Sequence, residues 1–165
     1  MQKTNWKKLE NENLKGKIFV IPTDTIYGFS ALSFDEIGIK KIYKIKNREK
    51  NKPLINLISS LNDLKKFKIK LNQRQKNFLE KIWPGKISVI LKDKDGNKIS
   101  FRIPKKRSLR NFIKKVGPIV STSFNISGEK FKKDLSEIDK FPEIDFYIDE
   151  GNLNSSESTI IEIIR

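Results

Sequence analysis

Polar and apolar positions fall into blocks with clear periods. Met1 to Gly16 is polar and charged, and is expected to be helical. The apolar run Ile18-Phe19-Val20-Ile21 ends at Pro22 and predicts a strand over 17–22. Ile37, Ile39, Ile42, Tyr43 and Ile45 recur at helical spacing, which predicts an amphipathic helix over 35–46. Pro53 breaks that helix and precedes a strand over 54–58. Helices are predicted over 61–67 and 72–83, the second stopped by Pro84-Gly85. Strands over 87–91 and 98–103 are joined by a hairpin through Asp93-Lys94-Asp95-Gly96-Asn97. A helix over 108–116, a strand over 119–121, a helix over 134–141 and strands over 145–148 and 159–163 complete the pattern. No linker rich in Pro, Ser or Gly and no repeat interrupts it. Alternating helices and strands with one hairpin indicate a single α/β domain, residues 1–165, built on a mixed sheet.

Three polar clusters interrupt these blocks. Pro22-Thr23-Asp24-Thr25-Ile26-Tyr27-Gly28 follows the first strand. Its hydroxyls suit hydrogen bonds to a small polar ligand, and Gly28 permits close backbone approach or positive φ. The same residues also make Asx and hydroxyl-capped turns. Asp24 can act as a base, a metal ligand or a carboxylate that orients the loop. Lys46-Asn47-Arg48, followed by Lys52-Pro53-Leu54, closes the first long helix, where basic residues also complement the helix dipole. Ser121-Thr122-Ser123-Phe124-Asn125-Ile126-Ser127-Gly128 packs hydroxyls and amides densely enough to hold an oxyanion or a ribose, or to form a cap.

Composition narrows the chemistry. With no His and no Cys, Ser-His-Asp and Cys-His machinery, disulfides and His/Cys zinc sites are excluded. Neither a P-loop nor a Gly-x-Gly-x-x-Gly turn is present. Cations, hydroxyls, amides and carboxylates remain, a repertoire suited to phosphoryl or nucleotidyl transfer by positioning and charge neutralisation. The net charge of +15 favours anionic partners such as nucleotides or RNA. However, 29 of the 35 cations are Lys, a skew that an A/T-rich coding sequence also produces. No apolar run approaches the ~20 residues a membrane span needs. The leading residues are not a signal sequence, so a cytoplasmic protein without membrane partners is expected.

The three clusters, in this order, resemble the YrdC-like threonylcarbamoyl-adenylate synthases. That family carries a Pro-Thr-acid-Thr-x-Tyr-Gly peptide, a Lys-x-Arg motif and a Ser-x-Asn motif, matched by Pro22 to Gly28, Lys46/Arg48 and Ser123/Asn125. Trp83-Pro84-Gly85, Phe101-Arg102-Ile103-Pro104, Gly117-Pro118 and Glu157-Ser158-Thr159-Ile160 match as well, so the resemblance runs from about Ile18 to Ile161. It implies a twisted open mixed sheet with flanking helices and a concave basic cleft, in a short single-domain form. The implied reaction joins L-threonine, bicarbonate (or CO2) and ATP, with Mg²⁺, into L-threonylcarbamoyl-AMP and pyrophosphate. A separate transferase complex would use the product to modify adenosine next to the tRNA anticodon. Carried over, Lys46, Arg48, Lys52, Ser123 and Asn125 would bind ATP. Thr25, Arg102, Ser121 and Ser158 would bind threonine, Arg102 through the amino-acid carboxylate. No covalent catalytic residue is implied; Lys46 and Arg48, both expected to be solvated, would matter most.

The chain also departs from the pattern. Phe124 replaces the small residue usual between Ser and Asn, so a reshaped nucleotide pocket is expected. Lys86-Ile87-Ser88 stands where the family usually has Pro and Thr, and Leu57 where some members place a His. A later Arg and the C-terminal domain of longer members are expected to be missing. Two other readings compete: a non-catalytic RNA-binding or ribosome-maturation module, and a carbamoyl-adenylate enzyme of the hydrogenase-maturation type. The former leaves binding of tRNA or double-stranded RNA open. The latter expects a zinc finger, which a chain without Cys cannot build.

Overall fold

The computed structural model describes residues 1–163, and they share one nine-stranded sheet. The elements in chain order are β1 (Gln2–Lys3), α1 (Trp6–Leu9), β2 (Phe19–Pro22), β3 (Tyr27–Leu32), α2 (Glu36–Lys46), β4 (Ile55–Leu57), α3 (Gln73–Ile82), β5 (Ile87–Lys92), β6 (Lys98–Arg102), α4 (Arg107–Val116), β7 (Ile119–Ser123), β8 (Phe146–Tyr147) and β9 (Thr159–Glu162). Their order across the sheet is β1-β8-β2-β3-β7-β4-β6-β5-β9. The pairs β1–β8, β2–β8, β4–β6 and β5–β9 are parallel and the others antiparallel, giving the mixed, open sheet that the alternating pattern predicts.

Both faces are covered, which explains the uninterrupted apolar run of β2. Val20 joins Tyr27, Phe29, Ala31 and Ile42 of α2 on one face. Its neighbours Phe19 and Ile21 turn to the other, against Leu109, Phe112 and Ile113 of α4. A third cluster packs Leu79, Trp83 and Leu64 on Val89, Leu91 and Phe101. The helix signals hold locally. Asn72 caps α3 in a reciprocal capping box with Gln75. Asn47 ends α2 in the left-handed region, with φ of 50°.

Five stretches differ from expectation. The leading segment forms a two-residue strand and one short helix. Residues 61–67 are a 3₁₀ helix. Within 134–141 only Ile138–Lys140 is helical, also 3₁₀. There the Asp134 carboxylate accepts from Ser136 N (3.0 Å) and Ser136 Oγ (2.6 Å), a local turn that competes with a helix. Finally, β3 occupies 27–32, where a loop was expected, and β7 runs on through Ser123. The two strands pair antiparallel, Gly28 opposite Ser123 and Ser30 opposite Ser121.

Candidate active site

The turn between β2 and β3 is organised by one hydroxyl. Thr23 Oγ1 donates to Ile26 O (2.7 Å) and accepts from Thr25 N (3.0 Å) and Ile26 N (3.1 Å). Its single proton is thereby used, so in the 2.9 Å contact between the two threonine hydroxyls Thr25 is the donor. Asp24 orients the same turn. One carboxylate oxygen accepts from Arg102 Nη1 at 2.5 Å and the other from Lys105 N at 2.8 Å. Arg102 is buried at the end of β6, with Nη1 also 3.3 Å from Gly85 O and Nη2 3.4 Å from Thr25 Oγ1.

Close approach, not positive φ, explains Gly28. A Cβ there would lie 2.3 Å from Ser121 Oγ. Ser121 Oγ also meets Ser30 Oγ at 3.4 Å, so small residues line the β3–β7 seam. Beside it, Arg48 follows the end of α2 and fastens to the next segment, donating from Nε to Lys52 O (3.0 Å) and from Nη2 to Pro53 O (3.1 Å). On the far side, Ser158 and Ser88 share a hydroxyl hydrogen bond of 2.9 Å.

These parts surround a cavity of about 210 Å³. Of the nine residues singled out from the sequence, Thr25, Arg48, Arg102, Ser121, Ser123 and Ser158 line it; Lys46, Lys52 and Asn125 do not. Lys52 is exposed, its ammonium 3.6 Å from Glu49. Its carbonyl, not its charge, meets Arg48. The expectation of a solvated Lys46 is overturned: the residue is 1% exposed. Its ammonium donates to Ser123 O (2.5 Å), Asn125 O (2.7 Å) and Asn125 Oδ1 (2.7 Å), and lies 5.6 Å from the Phe29 ring centroid. Burial, helped by Arg48 and opposed by Glu157, lowers its pKa to about 8. Phe124 does not line the cavity. Its fully buried ring packs at a tilt against Phe29 (5.1 Å between centroids) and edge-on against Phe141 (5.2 Å), so the bulky residue is absorbed by the core.

Sequence reasoning quoted Thr23, Thr122 and Glu157 within the motifs but gave them no individual role; all three stand in the cavity wall. It also missed the task of Tyr27, whose hydroxyl donates to Gly151 O (2.8 Å) and accepts from Glu150 N (2.9 Å). Burial, chiefly, raises the pKa of that phenol. Tyr27 thus anchors the irregular stretch that leads from β8 to β9 and delivers Glu157 and Ser158. Its place in the motif was the available signal. Among the described residues no group of three or more His, Cys, Asp or Glu could hold a metal ion by itself.

Sheet order and site together define a class: the chain belongs to the Sua5/YciO/YrdC family, whose profile, described as telomere recombination, matches residues 13–165. A protein of Methanocaldococcus jannaschii, provisionally named threonylcarbamoyl-AMP synthase, is 38% identical over 94% of this chain and 78% of its own length. The Pyrococcus abyssi threonylcarbamoyl-AMP synthase is 26% identical over 90% of this chain, which spans 48% of that protein. Among solved structures, P. abyssi Sua5 complexed with L-threonine superposes with a TM-score of 0.84 at 23% identity, covering 98% of this chain and 53% of the other. Escherichia coli YciO gives 0.84 at 21% identity, covering 97% and 84%. The activity named for the sequence relatives is the one the motif order implied. No helix among the described residues is long and apolar enough to cross a membrane.

Proposed function

We propose that the chain is an L-threonylcarbamoyl-adenylate synthase, a nucleotidyltransferase that supplies tRNA modification. The supporting observation is the convergence of Thr25, Arg48, Arg102, Ser121, Ser123 and Ser158, drawn from five separated segments, on one cavity. The threonine amine adds to CO2 and loses a proton, giving a carbamate. A carbamate oxygen then attacks the α-phosphorus of ATP, the α–β bridging P–O bond breaks, and pyrophosphate leaves. No protein nucleophile is required, in keeping with a chain that lacks His and Cys. Rate would come from positioning and from charge set where negative charge builds up.

In this reading Arg102, steadied by Asp24, faces the threonine carboxylate, while Thr25 and Ser158 offer hydroxyls. Arg48 faces the phosphates, and Ser123 closes that end. Mg²⁺ would arrive on the phosphates and neutralise them; such ions keep most of their water and need one or two carboxylates, and Glu157 is available in the wall. The product would pass to a separate tRNA threonylcarbamoyl transferase.

Pyrophosphate release should require L-threonine together with ATP, Mg²⁺ and bicarbonate, with L-serine as the control, and threonylcarbamoyl-AMP should appear by mass spectrometry. No threonine-dependent release, with tight and salt-sensitive RNA binding instead, would move the non-catalytic RNA-binding reading to the front.

A further inference from the structure

The Lys-x-Arg motif is divided in this fold. Arg48 lines the cavity, but Lys46 does not: it lies behind the loop that contains the Ser-x-Asn motif, and its ammonium is directed into that loop. An ammonium has three N–H donors. Here they meet three acceptors, two of them main-chain carbonyls of that loop. Backbone reinforces side chain, since Lys46 O accepts from Ser127 N at 3.0 Å. The Asn125 amide is committed inward too: Oδ1 accepts from Lys46 and from Ser123 Oγ (2.7 Å), and Nδ2 donates to Glu129 O (2.6 Å). Among the described residues Lys46 forms no salt bridge within 4.0 Å, so its charge is balanced by loop oxygens instead of by a carboxylate.

We propose that Lys46 is a positioning residue for nucleotide binding, a buried staple that fixes the 123–127 loop against the end of α2, and that Arg48 alone of the motif meets phosphate. The inference rests on the synthase reading for the identity of the nucleotide. Because α2 ends at Lys46, the staple joins loop and helix end into one unit. The loop that carries Ser123 and the chain that carries Arg48 are thereby held at a fixed spacing across the cavity.

The test is a double-mutant cycle on ATP affinity, read by calorimetry without turnover. Lys46→Met keeps the stem and removes the donors; Asn125→Ala removes one acceptor. A staple acts through the loop, so each single variant should weaken ATP binding about tenfold, and the double variant far less than the product of the two. Threonine affinity should stay within about twofold in each, because the Asp24–Arg102 pair is untouched. Multiplicative losses would mean independent contacts with ATP and would overturn the proposal. Should Lys46→Met fold poorly, Lys46→Arg gives a second reading. A phosphate ligand tolerates a longer cation, whereas this three-acceptor site does not, so wild-type ATP affinity in Lys46→Arg would also overturn it. Wild-type pyrophosphate release is measured alongside. Its failure with ATP binding intact would count against the synthase reading alone, and a wild-type chain that binds no ATP would overturn both.

Discussion

Arg102 and Asp24 form a buried ion pair, 2.5 Å between Nη1 and Oδ1, with side chains only 4% and 8% exposed. The second Asp24 oxygen is held by Lys105 N, so the carboxylate fixes the guanidinium and the turn at once. Removing either partner leaves the other charged and buried. Asp24→Ala should therefore destabilise the fold by about 3 kcal/mol in urea titration. Asp24→Ala/Arg102→Met should be less destabilised than the sum of its single variants. Simple additivity would show that the pair is not coupled.

Arg48 stands in a different position, partly exposed and, among the described residues, hydrogen-bonded through its side chain only to the carbonyls of Lys52 and Pro53. Arg48→Ala should cost roughly 1 kcal/mol of stability. Threonine-dependent pyrophosphate release should nonetheless fall by about 100-fold or more. An unchanged rate would remove Arg48 from the phosphate site.

Gly28 offers a steric test. Gly28→Ala drives a methyl group against Ser121 Oγ, and overpacking of this kind costs about 1–3 kcal/mol. Ser121→Ala in the same chain removes the opposing oxygen and should restore most of the loss. A double variant as unstable as Gly28→Ala would place the strain elsewhere.

Lys46 should titrate near pH 8, well below its ordinary 10.5, in an NMR titration of its side-chain carbon resonance. Burial is the main cause, with the Arg48 charge adding to it and the Glu157 charge opposing it. The folded-state value lies below the unfolded one, so the charged lysine weakens the fold below pH 8. That penalty is relieved as pH rises from about 8 towards 10.5, and the contribution of Lys46 to stability increases through this window. ATP affinity should move the other way over the same range, because a neutral amine donates two hydrogen bonds where the loop supplies three acceptors. A midpoint at the ordinary lysine value would mean that those acceptors offset burial in full.

Much of this was legible in the chain, for local reasons. Helical spacing marked α2, Pro84-Gly85 marked the end of α3, and Asp93 with Gly96 marked the β5–β6 hairpin, where the Asp93 carboxylate accepts from Asp95 N and Asn97 N. The order of the polar motifs led to the family. What was hidden depended on partners distant in sequence. Gly28 and Ser30 look like turn residues because they face Ser123 and Ser121 across a seam with no room for larger side chains, so β3 did not read as a strand. Lys46 looks like any last-turn lysine until a loop 77 residues later folds over it. Phe124 looked like an intrusion into the site because the resemblance puts a small residue there; its ring belongs to the core.

The cavity's last wall has a consequence for biosynthesis. Ser158 meets Ser88 only once β9 has paired with β5, some seventy residues earlier in the chain. A nascent polypeptide that has emerged through Ser123 already holds Thr25, Arg48, Arg102 and Ser121, yet one side of the pocket is still open to solvent. The complete pocket therefore awaits synthesis of the segment that carries Glu157 and Ser158. Ligands that bind the completed pocket stabilise chains in which β9 has docked and lend little to those in which it has not, so ATP and threonine would sort the two populations by their resistance to proteolysis.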